Sequence, residues 1–97
     1  MIENLKKLPR LSKYAKAATD GFWAYDKVAM AEGVIPKKYK ELIAIAVGLT
    51  TQCTYCIEVH KNAAVLAGAT EEEFAAVVHV AAVIRAGGAI THGTHLF

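Results

Sequence analysis

The sequence predicts an all-α fold, a single domain of helices that pack antiparallel. Apolar residues recur at steps of three and four along most of the chain, as one face of an amphipathic helix requires. Alanine occurs 18 times in 97 residues, and strand-forming residues do not cluster in alternating runs. The connections between the helical segments are short, which favours antiparallel neighbours. This length suits one domain, residues 1–97.

Two helices are predicted in the N-terminal third of the chain. Residues 1–10 indicate a short helix that ends near Pro9. Ser12 is a suitable N-cap for a long amphipathic helix that runs to about Glu32. Gly33 follows as its predicted C-cap, because glycine readily adopts the left-handed conformation that often ends a helix.

Two further helices follow, joined by a tight connection. Pro36 suits the first position of the third helix, where its missing N–H costs nothing, and that helix is predicted to end around Thr50. The fourth helix begins at or just before Cys53 and runs to about Ala67, with Gly68 after it. The predicted buried face of the third helix consists of Leu42, Ile45, Ala46 and Leu49.

The fifth helix carries the clearest start signal. Thr70 and Glu73 have the spacing of a capping box, and the helix is predicted to run to about Ala86. Gly87-Gly88 is expected to break it, which leaves residues 89–97 as a short helix or tail. Its predicted buried face consists of Phe74, Val77, Val78, Ala81 and Ile84.

The composition predicts self-association and gives little support to nucleic-acid binding. Hydrophobic residues make up 55% of the chain, more than a monomer of this size can hide, so we expect a homo-oligomer with apolar interfaces. Phe22, Trp23 and Tyr25 are assigned to the core or to such an interface. The formal net charge is +2, whereas nucleic-acid binding calls for a stronger basic bias.

The sequence shows no targeting or membrane-spanning segment. Lys6, Lys7 and Arg10 interrupt the N-terminus, so no signal peptide is visible. No run approaches the ~18 apolar residues that a membrane span requires. We therefore expect a cytoplasmic protein without membrane association. In a reducing compartment, a close pair of cysteines is more often catalytic or metal-binding than structural.

The chain's two cysteines lie three positions apart. At a helix N-terminus, Cys53 and Cys56 are separated by about 4.5 Å along the axis, so their Cα atoms fall within the ~4.4–6.8 Å that a disulfide accepts. Cys56 would lie in the first turn, where backbone N–H groups and the helix dipole stabilise a thiolate. Redox chemistry at sulfur is the leading hypothesis.

A histidine and a glutamate can serve this pair as a proton relay. His60 follows Cys56 by four residues, so the two side chains share a face of the helix. Glu41 comes from the preceding helix and lies at a similar depth in an antiparallel pair. Its carboxylate can orient His60 and receive its proton, directly or through water.

Two other interpretations of the motif remain open. The cysteines could be inert core residues. They could also bind zinc with His60 and a fourth ligand, for which the candidates are His79, His92 and His95. Otherwise, His79 is expected to make an interior hydrogen bond, whereas His92 and His95 are expected at the surface or an interface.

Three segments resemble the alkylhydroperoxidase D-like proteins of the carboxymuconolactone decarboxylase superfamily. They are the stretch from Lys40 to Val47 with Glu41 in it, the Cys-x-x-Cys-x-x-x-His motif from Cys53 to His60, and the Gly68–Glu73 turn. The resemblance runs over about residues 12–97. In better-known relatives a histidine stands between the cysteines, where this chain has Tyr55.

The resemblance implies an all-helical subunit that assembles into trimers or hexamers, and a peroxidase activity that depends on the thiol pair. By matching position, Cys56 is the peroxidatic nucleophile, Cys53 is the resolving thiol, and His60 and Glu41 form the proton relay. The implied partners are a hydroperoxide substrate and a lipoyl- or thioredoxin-like dithiol reductant. No flavin, haem or metal is needed.

Three alternatives compete with this peroxidase hypothesis. The same residues would serve a general dithiol–disulfide oxidoreductase with little peroxide activity. A non-catalytic zinc-binding or assembly module would use the motif as a ligand set. Decarboxylation or ring opening of a lactone acid would need cations around a carboxylate pocket, for which Lys37, Lys38 and Lys40 are weak candidates.

Overall fold

The computed structural model describes residues 2–97, and every regular element in that range is helical. This confirms the all-α prediction. The elements in chain order are a 3₁₀ helix Ile2–Lys7, α1 Pro9–Tyr14, α2 Lys16–Met30, α3 Lys37–Thr51, α4 Thr54–Leu66, α5 Glu71–His92 and a 3₁₀ helix Gly93–Leu96.

Helix α3 forms the centre of the domain and packs against both α4 and α5. Leu42 and Ile45 of α3 are buried together with Ala64 of α4. Full burial of a leucine or isoleucine side chain stabilises a fold by about 1.5–3 kcal/mol. The Arg85 guanidinium also donates to the carbonyl of Thr50, which ties α5 to the end of α3.

A close contact joins α3 to α4. Gln52 adopts the left-handed conformation with φ 58°, and the N–H of Cys53 donates to the carbonyl of Gly48 at 2.9 Å. A Cβ atom at Gly48 would lie 3.3 Å from Ile57 Cγ1 and 3.4 Å from Cys56 Cβ. The absence of a side chain there lets α3 approach the turn of α4 that carries Cys56.

The N-terminal boundaries differ from the prediction. Pro9 begins α1 instead of ending a helix, and the predicted long helix is divided at Ala15, whose φ is −146°. Alanine has the highest helix propensity, so propensity does not explain this break. Helix α2 ends at Met30, and Gly33 does not cap it. Met1 of the first predicted helix lies outside the described residues.

The end of α2 has a physical cause that the sequence pattern did not show. The carbonyls of Ala29 and Met30 accept hydrogen bonds from the ammonium groups of Lys40 and Lys37, at 2.9 and 2.7 Å. These lysines of α3 satisfy two of the carbonyls that the last turn of a helix leaves without partners. The helix therefore ends before the glycine.

The boundaries of α3 and α4 are within about two residues of the prediction. Pro36 is the N-cap of α3 instead of its first residue, and α3 ends at Thr51. Cys53 is the N-cap of α4, which ends at Leu66. Helix ends commonly differ by this much between assignments.

The predicted start of α5 is confirmed, and its predicted end is wrong. Thr70 and Glu73 form both hydrogen bonds of the capping box. The helix continues through Gly87 and Gly88 to His92. An interior glycine costs about 1 kcal/mol relative to alanine. The alanines around this pair favour the helix, and no proline there removes a backbone hydrogen bond.

The second half of α5 is largely exposed. Ala81 is buried, but Val78 and Ile84 of its predicted buried face are 48% and 69% exposed. By length and composition, the stretch Glu71–Leu96 could cross a membrane, with a mean hydropathy of 1.7 in its most apolar window. The sequence prediction did not include this stretch, because polar residues such as His79 and Arg85 interrupt its apolar residues.

Candidate active site

The two cysteines lie at the junction between α3 and α4, where they form a disulfide with a Cα–Cα distance of 5.2 Å. Both residues are half-buried. Cys53 caps α4, and the backbone N–H of Cys56 donates to its sulfur at 3.2 Å. An N–H group of the first turn of α4 therefore donates to the sulfur of Cys53, whereas the sequence predicts that stabilisation for Cys56.

The structure brings Glu41 and His60 together. Glu41 Oε2 lies 2.6 Å from His60 Nδ1, and Glu41 is only 2% exposed. The contact joins α3 to α4 across the core. Because Nδ1 faces the carboxylate, Nε2 is the ring nitrogen left for proton exchange.

Lys37, which was not predicted as part of the relay, also contacts Glu41. Lys37 Nζ lies 2.8 Å from Glu41 Oε1. Burial alone would raise the pKa of Glu41, but the hydrogen bonds from Lys37 and His60 outweigh it, and the pKa lies below its ordinary value. Glu41 is therefore a carboxylate at neutral pH. The i to i+4 spacing of Lys37 and Glu41 was the available signal.

The residue between the cysteines contacts the N-terminal 3₁₀ helix. The Tyr55 hydroxyl accepts a hydrogen bond from Asn4 Nδ2 at 2.9 Å. Tyr55 is itself half-buried. It therefore helps to attach the start of the chain to the first turn of α4, next to the disulfide.

The histidines considered as a fourth zinc ligand are not collected at this site. His79 is exposed, so the predicted interior position is wrong. His92 and His95 lie near the C-terminus and are also exposed; His92 Nδ1 is 3.2 Å from the carbonyl of Gly88. Across residues 2–97, no three His, Cys, Asp or Glu side chains are placed to hold a metal ion together.

The lysines considered for a substrate carboxylate already have partners within the protein. Besides the contacts of Lys37 and Lys40 described above, Lys38 Nζ lies 2.9 Å from Glu73 Oε2. This pair joins α3 to α5, and its hydrogen bond helps to hold the pKa of Glu73 below its ordinary value. All three ammonium groups thus bind the protein's own oxygens.

Residues 16–97 match the model of the carboxymuconolactone decarboxylase family. The chain belongs to that family. It is 42% identical over 85 residues to uncharacterized protein 4 in the cox locus of Paracoccus denitrificans. The aligned region covers 88% of this chain and 77% of that protein. An uncharacterized protein from Cupriavidus necator is 35% identical over 70 residues, covering 72% and 62% of the two chains.

Two solved structures share the fold of this family member at 30% sequence identity. One is a carboxymuconolactone decarboxylase family protein from Legionella pneumophila, crystallised in its apo form. It superposes with a TM-score of 0.79, and the match covers 84% of this chain and 73% of the Legionella chain. A protein from Methanobacterium thermoautotrophicum superposes with a TM-score of 0.82 over 88% and 96% of the two chains. The helical architecture is therefore that of the family.

Proposed function

We propose that this protein is a thiol-dependent peroxidase that reduces hydroperoxides through Cys53 and Cys56. The observation that carries the proposal is the buried Glu41–His60 hydrogen bond of 2.6 Å in the same helix pair as a cysteine disulfide. A redox-active pair of sulfurs and a general base are the two components that such a reaction needs.

The first step oxidises Cys56. In the reduced protein, His60 accepts the proton of the Cys56 thiol, while Glu41 orients the imidazole. The thiolate attacks the terminal oxygen of the hydroperoxide, the O–O bond breaks, and a sulfenic acid forms on Cys56. The departing alkoxide or hydroxide takes a proton from His60 and leaves as alcohol or water.

The second step forms the disulfide seen in the structure. The Cys53 sulfur attacks the Cys56 sulfenic acid, and water is released with the Cys53 proton. The Cα–Cα distance of 5.2 Å lets the bond form without unfolding of α4. Both electrons that reduced the peroxide then come from the pair of cysteines.

A dithiol restores the reduced pair by exchange. The hydrogen bond from the Cys56 N–H to the Cys53 sulfur stabilises Cys53 as the leaving thiolate, so the reductant attacks Cys56. Its second thiol then resolves the mixed disulfide and leaves as the oxidised donor. We propose a lipoyl- or thioredoxin-like dithiol for this role.

Peroxide consumption in the presence of a dithiol tests the proposal. Cys56→Ser is expected to abolish turnover, and His60→Gln is expected to lower kcat/KM by about 10²–10⁴-fold. Glu58→Gln, an exposed carboxylate on the same helix, is the control and should retain full activity. Full turnover by Cys56→Ser would disprove the mechanism.

The position of Cys53 also supports a second candidate, a general dithiol–disulfide oxidoreductase. A cysteine at a helix N-cap is a good leaving group in thiol–disulfide exchange, whatever oxidises the pair. Rates with hydroperoxides and with protein disulfides, measured side by side, separate the two. A preference for disulfides by several orders of magnitude would favour the oxidoreductase.

A further inference from the structure

Each oxygen of the buried Glu41 carboxylate has one charged or titratable partner. Oε2 contacts His60 from α4, and Oε1 contacts Lys37 from one turn earlier on α3. From α5, the carboxylate of Glu73 is bound to Lys38. One oxygen of Glu41 thus contacts the proposed base, His60, and the other contacts the ammonium group of Lys37.

Lys37 is itself held in place by a third group. Its ammonium donates to the carbonyl of Met30 at 2.7 Å, at the end of α2, while it lies 2.8 Å from Glu41 Oε1. A lysine side chain loses considerable rotamer entropy when it is fixed. The second acceptor, which belongs to another helix, fixes the ammonium against the carboxylate.

The charge of Glu41 needs this cation because the side chain is only 3% exposed. A buried carboxylate without a permanent counter-charge takes up a proton instead of remaining ionised. His60 cannot supply that counter-charge throughout a reaction cycle, since the proposed mechanism changes its protonation. Lys37 takes no part in that proton transfer.

We propose that Lys37 is a positioning residue that keeps Glu41 anionic through the whole reaction cycle, so that Glu41 orients His60 and does not receive its proton. This inference rests on the proposed function, but the experiment that tests it does not require the protein to consume peroxide. The relay therefore ends at His60, and the proton taken from Cys56 stays on the imidazole until the leaving oxygen removes it.

A neighbouring lysine provides a matched control. Lys40 donates to the carbonyl of Ala29, the residue before Met30, at 2.9 Å. Within the described residues, its ammonium contacts no carboxylate within 4.0 Å. Lys40→Met removes a similar attachment of α2, whereas Lys37→Met also removes the charge beside Glu41. The difference between the two variants isolates the electrostatic role.

The experiment measures the rate at which iodoacetamide alkylates Cys56 from pH 5 to 10, in protein that carries Cys53→Ser and is kept reduced. Without the cation the pKa of Glu41 rises, and a neutral Glu41 no longer stabilises the protonated imidazole that accepts the Cys56 proton. We expect Lys37→Met and Lys37→Gln to move the alkylation profile to higher pH by about one unit. Lys37→Arg and Lys40→Met should leave it unchanged.

Two results would overturn the inference: a Lys37→Gln profile that coincides with the unmodified one, or an equal shift in Lys40→Met. Glutamine keeps N–H donors in place of the ammonium group but carries no charge. The Lys37→Gln variant therefore provides the test even where the methionine variant is unstable. Peroxide turnover is measured in parallel. A protein that shows the shift and consumes no peroxide would refute the proposed function and leave the role of Lys37 standing.

Discussion

At the residue scale, the site depends on how a buried carboxylate is kept ionised. Glu41 is the only buried charged residue within the described part of the chain, and His60 and Lys37 bind its two oxygens. Removing a partner of a buried charge destabilises the fold, because that charge is left without compensation. The glutamate is therefore part of both the site and the core.

The lowered pKa of Glu41 predicts an acid-dependent contribution to stability. Burial opposes ionisation, but Lys37 and His60 outweigh it, so the folded protein binds a proton less readily than the unfolded chain. The resulting stability is present above the unfolded pKa of about 4.3. It is lost as the pH falls through the lower folded pKa. Urea unfolding at several pH values measures it.

Glu41→Gln is the variant for this measurement, and Glu58→Gln is its exposed control. We expect the wild type to be more stable than Glu41→Gln at pH 7 and the difference to shrink steadily in acid. Glu58→Gln should follow the wild type within about 0.5 kcal/mol at every pH. A difference between wild type and Glu41→Gln that is constant with pH would contradict the assignment.

At the element scale, the contact between α3 and α4 determines where the cysteines lie. Gly48→Val would force side-chain atoms against Cys56 and Ile57, because a Cβ alone already comes within 3.3–3.4 Å of them. Overpacking of this kind destabilises a protein by about 1–3 kcal/mol. Gly33→Val, in the connection before α3, is the matched variant, since nothing lies within 4 Å of a Cβ there.

Thermal unfolding of the two glycine variants compares these sites. We expect a lower Tm and slower reoxidation of the cysteine pair for Gly48→Val, because displacement of Cys56 moves its sulfur away from Cys53. Gly33→Val should stay within about 0.5 kcal/mol of the wild type. Equal Tm values for both variants would show that α3 and α4 do not need this close approach.

The helix boundaries and the contacts between helices differ in how far sequence patterns could predict them. The capping box at Thr70 was predictable because its donors and acceptors are local. The end of α2 was not, because it depends on Lys37 and Lys40 reaching back from another helix. The contact between Glu41 and His60 followed from motif spacing and antiparallel packing. Lys37 was missed because a lysine near a helix start usually signals only surface charge.

At the scale of the whole molecule, much apolar surface remains uncovered. None of the residues of α2 is buried, and Val80, Val83 and Ile90 of α5 are 58%, 62% and 77% exposed. Exposed apolar areas of this extent mark sites of protein or membrane interaction. We propose that a second copy of the chain covers them in a homo-oligomer, a trimer or hexamer.

Light scattering after size-exclusion chromatography tests the assembly. Val83→Glu on α5 is expected to reduce the measured mass, because a charge in an apolar interface is costly to bury. Val34→Glu is the control, since Val34 is fully exposed in the connection before α3. A monomer at all concentrations, or partition of the wild type into lipid vesicles through Glu71–Leu96, would contradict the proposal.

The most direct test of the account is mass spectrometry of the Cys53→Ser protein after treatment with one equivalent of hydroperoxide and then dimedone. The proposed mechanism predicts a sulfenic acid on Cys56, trapped as the dimedone adduct, and much less adduct when His60 is also replaced by glutamine. In the wild type, the same treatment should link Cys53 to Cys56. An unmodified Cys56 in protein whose thiol still reacts with iodoacetamide would contradict the account.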